Sequence, residues 1–266
     1  DISADQYPYY ASATGLSASL PQWTHEGGRE KLIERLRIPE TRRKIREEVL
    51  GSSTTQENFY LGAGGAEGIL ISSVDNQSLK QYEGKRLSEI AQLRNEDPVE
   101  AMFDLLVEDN AQTGAIYFSM NEDDVRLAMK QPWVSVNTDA PEAATDGLLA
   151  QSKTHPRAYG SFTRILGRYV REQKLLTMEE AVRKMTSLPA QRVGLTARGV
   201  LRPGMFADVV VFDAERIIDK ATFESPHQYS EGIHYVIVNG EIVLENGKHT
   251  GNFPGRALRG PGYRGK

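Results

Sequence analysis

The chain has 266 residues, 39% of them hydrophobic and 26% charged, which is the composition of a folded globular protein rather than a disordered one. Its 32 basic and 36 acidic residues leave a formal charge of −4, so a global basic footprint for nucleic acid is excluded. With no cysteine there is no disulfide, no Cys-containing metal cluster and no cysteine nucleophile, and no apolar run reaches the ~18–20 residues that span a bilayer.

At 29.6 kDa, a compact chain has a folded surface of about 11,600 Å² against about 43,000 Å² when extended, enough burial for a sizeable core. The opening carries neither a Met nor a signal-like segment. It reads as the end of a short strand running into Gln6-Tyr7-Pro8-Tyr9-Tyr10, and is expected to fall inside a domain. Residues 11 to 28 are rich in Ala, Ser and Gly and read as a loop with a short helix. Residues 29 to 50 predict two helical pieces broken at Pro39, with Ile45 and Val49 on one face.

Four glycines between 62 and 68 predict a turn, and Ile69 to Val74 a strand. A phosphate-binding loop would pass into a helix instead, so that reading is set aside. Asp97-Pro98-Val99-Glu100 predicts a capped helix start, with Met102, Leu105 and Leu106 on its apolar face. Gly114 to Ser119 predicts a buried strand, and Asn121 a second cap before an acidic first turn. Pro132 to Asp139 returns to strand. This alternation is the cadence of an α/β protein with a mostly parallel sheet. Residues 161 to 190 predict helix, with Thr177 to Glu180 as a capping box. Ala207 to Asp213 reads as a compact buried strand, and Asn239-Gly240 joins two further strands in a two-residue hairpin. The Gly-rich stretch from 251 to 266 predicts an extended terminus.

Asp139 is the leading catalytic candidate by position. It follows a hydrophobic strand and precedes the small-residue loop Ala140 to Ala144, and active sites collect at carboxyl ends of strands in α/β sheets and barrels. A carboxylate there can act as a general base or bind a cation; the alternative is a cap for the following segment. The cluster His155-Pro156-Arg157-Ala158-Tyr159-Gly160 offers a guanidinium and a phenol, able to hold a carboxylate or to tie down a loop. Tyr7 and Tyr9 follow the opening strand and suit either hydrogen bonding to an acid or packing. His25, His227, His234 and His249 lack metal-ligand spacing.

Those segments resemble the N-acyl-D-amino-acid deacylases, or D-aminoacylases, of the metal-dependent amidohydrolase superfamily. The resemblance is carried by Asp5-Gln6-Tyr7-Pro8-Tyr9, by His155 to Phe162, by Leu166 to Glu172, by Met185 to Ala190, by Arg198 to Asp213 and by Ala221 to Gln228. It implies the C-terminal portion of a (β/α)₈ TIM barrel with an inserted subdomain over residues 1–190, and the C-terminal part of a β-sandwich domain with a tail over 191–266. It implies zinc-dependent hydrolysis of the amide of a small-molecule N-acyl-D-amino acid. Asp139 is implied as the proton carrier and a candidate metal ligand, Tyr7, Arg157 and Tyr159 as holders of the substrate carboxylate, and Ser12 as a further pocket residue.

Two departures follow. Thr138-Asp139-Ala140 stands where the family has Ser-Asp-Gly, adding a methyl at the pocket rim. The family's His-x-His pair and later barrel histidines find no counterpart, so the main metal ligands are expected in a missing N-terminal half, without which the chain is expected to be inactive and poorly soluble. A cytoplasmic location, without nucleic-acid or membrane partners, completes the expectation. A cyclic-amide hydrolase of the dihydroorotase or hydantoinase type, and a non-catalytic binder of an acidic metabolite, are the alternatives.

Overall fold

The computed structural model describes residues 2–51, 57–141, 144–260 and 262–264. Glu142 and Ala143 of the loop after Asp139, and Pro261, Gly265 and Lys266 of the terminus, lie outside the described residues.

Strand β1 (Ala4–Gln6) leads through the tyrosine segment into β2 (Ser12–Gly15). Two single-turn 3₁₀ segments then precede α1 (Gly28–Arg37) and α2 (Pro39–Leu50). Pro39 occupies the first position of α2 and holds Ile38 in extended backbone, which ends α1. After α3 (Phe59–Gly62) come β3 (Ile69–Ser73), α4 (Leu87–Arg94), α5 (Pro98–Glu108), β4 (Gly114–Tyr117), α6 (Glu122–Met129) and β5 (Val134–Val136). Helix α7 (Arg157–Arg164) continues in π-type turns over Ile165–Glu172, followed by α8 (Met178–Met185) and α9 (Ser187–Arg192). The chain closes on β6 (Val209–Phe212), β7 (Ile233–Val238), β8 (Glu241–Glu245) and β9 (Lys248–His249).

The capping signals act locally. The Asp97 carboxylate accepts from the backbone N–H of Val99 at 2.9 Å and of Glu100 at 3.3 Å, and the Asn121 carbonyl from Asp124 N–H at 2.8 Å. Thr177 accepts from Glu180 N–H at 3.2 Å, but the Glu180 side chain turns forward to Arg183 at 2.7 and 2.8 Å, so only half of that capping box forms. Asn239 and Gly240 both have positive φ, 51° and 86°, as the tight turn between β7 and β8 requires.

Sheet topology departs from the expected parallel arrangement. Among the described residues only β1 and β5 pair in parallel; β2-β4-β3 and β6-β7-β8-β9 are antiparallel sheets. The segment read as a loop contains β2, whose Ser-Ala-Thr-Gly sequence has little strand preference of its own. Its edge pairing with the buried β4 supplies the strand conformation. The helical run from 161 to 190 is also interrupted, at 173 to 177.

One core lies between β3, β4 and α1, α2, α4 and α5, centred on residues such as Leu36, Ile45, Ile71 and Phe103. A second joins α6, β5, the π-type turns and α8 through Val125, Val136, Ile165, Tyr169 and Ala181. A smaller aromatic core of Tyr9, Leu70, Ile116 and Phe223 connects them. The strap between β6 and β7 belongs to this body. Ile217 enters the second core, Phe223 the aromatic one, and the buried Asp219 carboxylate takes Arg164 at 3.0 Å and Arg168 at 2.8 Å.

Strand β6 is not the buried strand its apolar run suggests: Val210 and Val211 are 53% and 42% exposed. The whole chain exposes 15,119 Å², well above the about 11,600 Å² of a compact chain of this mass. Among the described residues no helix is long and apolar enough to cross a membrane.

Candidate active site

Because β1 and β5 run parallel, the residues following each emerge at the same end. Tyr7 follows β1, and Asn137 and Asp139 follow β5; together with Gln6, Ser119 and Met120 they line a cleft of about 580 Å³. Asp139 has a φ of 44°, in the left-handed region that Asp and Asn tolerate best among residues with a Cβ. Its side chain is 61% exposed and forms part of the cleft lining.

Arg157, at the first turn of α7, is not itself among the lining residues but touches two of them, Tyr7 and Asp139, and its side chain is only 8% exposed. One Nη forms an ion pair with the Asp139 carboxylate at 3.0 Å, and the guanidinium lies over the Tyr7 ring, 4.5 Å from its centroid. The remaining Nη and the Nε are buried and have no hydrogen-bond partner among the described residues. A buried guanidinium with open donors is costly unless an acceptor arrives, which suits this corner to an anion. Burial raises the Tyr7 phenol above its ordinary value; the Arg157 cation opposes this and the Asp139 anion adds to it, so Tyr7 stays a neutral donor. The Asn137 side-chain Oδ1 is also buried without a hydrogen-bond partner among the described residues, while its Nδ2 donates to Asp5.

Other candidates fall elsewhere. The Tyr159 hydroxyl donates to Ala144 O at 3.0 Å and lies 3.0 Å from His227 Nδ1, anchoring the loop after Asp139 to the strap. Ser12 stands in β2 opposite Tyr117, outside the cleft wall, and its buried hydroxyl has no partner among the described residues.

His155 is the residue that sequence reasoning passes over. It is 4% exposed, with Tyr7, Tyr9 and Phe223 edge-on around it at 5.1 to 5.9 Å. Its Nε2 lies 2.9 Å from Ala11 O, and its Nδ1 accepts from Arg157 N–H at 3.0 Å. The only available hint is its place just before the first N–H of a helix, where a side-chain acceptor can cap. Burial, aided by the Arg157 and Arg164 cations, pushes the imidazole down to about 3, although the bond to Ala11 works the other way.

That depression has a stability consequence. The folded value lies below the free value of 6.5, so the unfolded chain binds a proton first as pH falls. The contribution of neutral His155 is whole above pH 6.5 and is lost toward pH 3, at up to about 1.4 kcal/mol per pH unit. Urea unfolding between pH 7 and 4 should therefore show a shallower decline in His155→Asn than in the parent; parallel curves would contradict the buried neutral state.

The residues present do not by themselves suit a metal. Among the described residues no three His, Asp or Glu converge, and Asp139 gives its carboxylate to Arg157.

The pattern of the amidohydrolase family matches residues 70–244. The chain is 46% identical to the N-acyl-D-glutamate deacylase of Alcaligenes xylosoxydans xylosoxydans over 176 residues, 66% of this chain and 33% of that protein. It is 44% identical to the N-acyl-D-aspartate deacylase of the same organism over 148 residues, 56% of this chain and 28% of that one. It thus spans about a third of the length of the curated relatives it matches. The crystal structure of N-acyl-D-glutamate deacylase from Bordetella bronchiseptica, complexed with zinc and a phosphonate mimic of the tetrahedral intermediate, superposes with a TM-score of 0.66. It is 34% identical, over 94% of this chain and 42% of that one. The mixed α/β fold and a family pattern covering more than half its length place this chain in the amidohydrolase family, in the N-acyl-D-amino-acid deacylase branch.

Proposed function

We propose that this chain supplies the carboxylate grip and the general base of a deacylase that hydrolyses N-acyl-D-amino acids to a carboxylate and a free D-amino acid. The observation that supports it is the buried Arg157, stacked on Tyr7, with two donors open and Asp139 on the third. In this reading the open donors and the Tyr7 hydroxyl hold the α-carboxylate of the substrate. Asp139 takes the proton from the attacking water and returns it to the nitrogen of the breaking amide bond, so the base is regenerated. An acidic side chain on the substrate is favoured by the glutamate and aspartate deacylases among the relatives.

In the same reading residues 1–190 contribute strands and helices to a TIM barrel with an inserted subdomain, and 191–266 part of a β-sandwich. An N-terminal part of the same protein covers the surface left open here and brings the ligands for zinc, the metal of the Bordetella enzyme. The large accessible surface and the wet face of β6 support this.

Arg157→Lys tests the grip. A single ammonium cannot reproduce the planar spread of guanidinium donors, so kcat/KM for N-acetyl-D-glutamate in the complete protein should fall about 10- to 100-fold, the weight of one charged hydrogen bond. The α-carboxamide analogue should change little. Equal losses on both would remove Arg157 from the carboxylate site, and retained binding of the acid without hydrolysis would favour the non-catalytic reading.

A further inference from the structure

We infer that His155 is a positioning residue that sets Tyr7 against Arg157, acting as a neutral imidazole fixed in one tautomer between the two chain segments that carry them. The inference rests on the carboxylate grip proposed above. Ala11 O can only accept, so Nε2 carries the proton; Arg157 N–H can only donate, so Nδ1 is bare. The first bond pins the end of the tyrosine segment that begins at Tyr7. The second pins the first N–H of α7, from which the Arg157 side chain departs. The two segments lie 144 residues apart in sequence, and this one ring bonds to both.

The surroundings leave the imidazole no second arrangement. Tyr7, Tyr9 and Phe223 pack edge-on around it. A flipped ring would set Cε1–H against the Ala11 carbonyl and Cδ2–H against the Arg157 N–H, and the other tautomer would set a bare Nε2 against that carbonyl. At 4% exposure the ring is closed to bulk solvent, so either loss leaves a buried polar group unpaired by the protein. The Tyr7–Arg157 stack therefore depends on hydrogen-bonding direction at His155 and not only on its volume.

Four variants of the complete protein separate direction from volume: His155→Ala, His155→Leu, His155→Asn and His155→Gln. Asn places an acceptor near Nδ1 and Gln a donor near Nε2, so each keeps one of the two bonds, whereas Leu fills the space and keeps neither. The readout is the ratio of kcat/KM for N-acetyl-D-glutamate to that for its α-carboxamide, with hydrogen exchange of the Arg157 amide alongside. The expected result is a ratio about 10-fold lower in Ala and Leu, arising in KM for the acid, with partial recovery in both Asn and Gln. Protection of the Arg157 amide should survive in Asn and be lost in Leu. Recovery by Leu equal to that by Asn and Gln, or equal losses on acid and carboxamide, would overturn the inference. If the parent hydrolyses neither compound, the deacylase reading falls by itself. The amide protection then still decides, and protection unchanged in Leu would show that His155 does not hold Arg157. Should Ala fail to fold, the comparison of Leu with Asn and Gln is complete without it.

Discussion

Asp139→Asn in the complete protein is expected to lower turnover of N-acetyl-D-glutamate about 10²- to 10⁴-fold, the usual loss on removing a positioned general base. The substitution is chosen so that little else changes. Asn tolerates the left-handed backbone at φ 44° as well as Asp does, and its amide oxygen can still face the Arg157 guanidinium at the 3.0 Å contact. What the amide cannot do is take a proton from water and return it to a leaving nitrogen. The loss should therefore appear in kcat, with KM nearly unchanged, because Arg157 keeps its open donors for the α-carboxylate. Thermal unfolding of the variant should match the parent. Near-normal turnover would remove Asp139 as the base, whereas a large rise in KM would show that its charge mainly organises Arg157.

The second large effect is on stability. Asp219→Ala should cost about 3–5 kcal/mol, since it strips the partner from a buried ion cluster. The Asp219 carboxylate is fully buried and takes Arg164 on one oxygen and Arg168 on the other. Arg164 also donates to Pro8 O at 2.8 Å and lies 4.7 Å from the Tyr9 ring centroid. Gly160 allows this closeness: a Cβ there would stand 2.5 Å from the Tyr9 hydroxyl and 3.0 Å from the Asp219 Cβ. Without the carboxylate, the Arg164 guanidinium, only 14% exposed, is left without its counter-ion. Glu34→Ala, which breaks a pair more than half exposed on both sides, should change stability by no more than about 0.5 kcal/mol. Urea midpoints of the two variants decide the matter, and similar shifts would show that the Asp219 cluster is as weak as a surface pair.

These two residues also mark how far local sequence carries. Asp97-Pro98, Asn121 and Asn239-Gly240 act within a few residues of themselves, so their caps and turn were legible in advance and stand in the structure. Tyr7, Asp139 and Arg157 were legible as chemistry, but the nearness of Tyr7 to Asp139 follows from the parallel pairing of β1 with β5, and Arg157 reaches both from α7, which no local pattern encodes. Strand β2 was illegible because its conformation comes from β4, about a hundred residues away. His155 and Asp219 were illegible for the same reason: the partner that defines each lies far along the chain. Tyr159 carried the right chemistry for an anion, but the loop and His227 take up its hydroxyl.

The strap from Ile217 to Phe223 bears on how this chain can be recombined. It follows β6 in sequence, yet its side chains sit in the cores of the helical body. A hybrid joined to a relative near residue 190 would import a foreign strap into a socket shaped by Gly160, Arg164 and Tyr9. A junction placed after Phe223 keeps strap and socket from one parent, leaving the hairpin of β7 and β8 as the exchangeable piece.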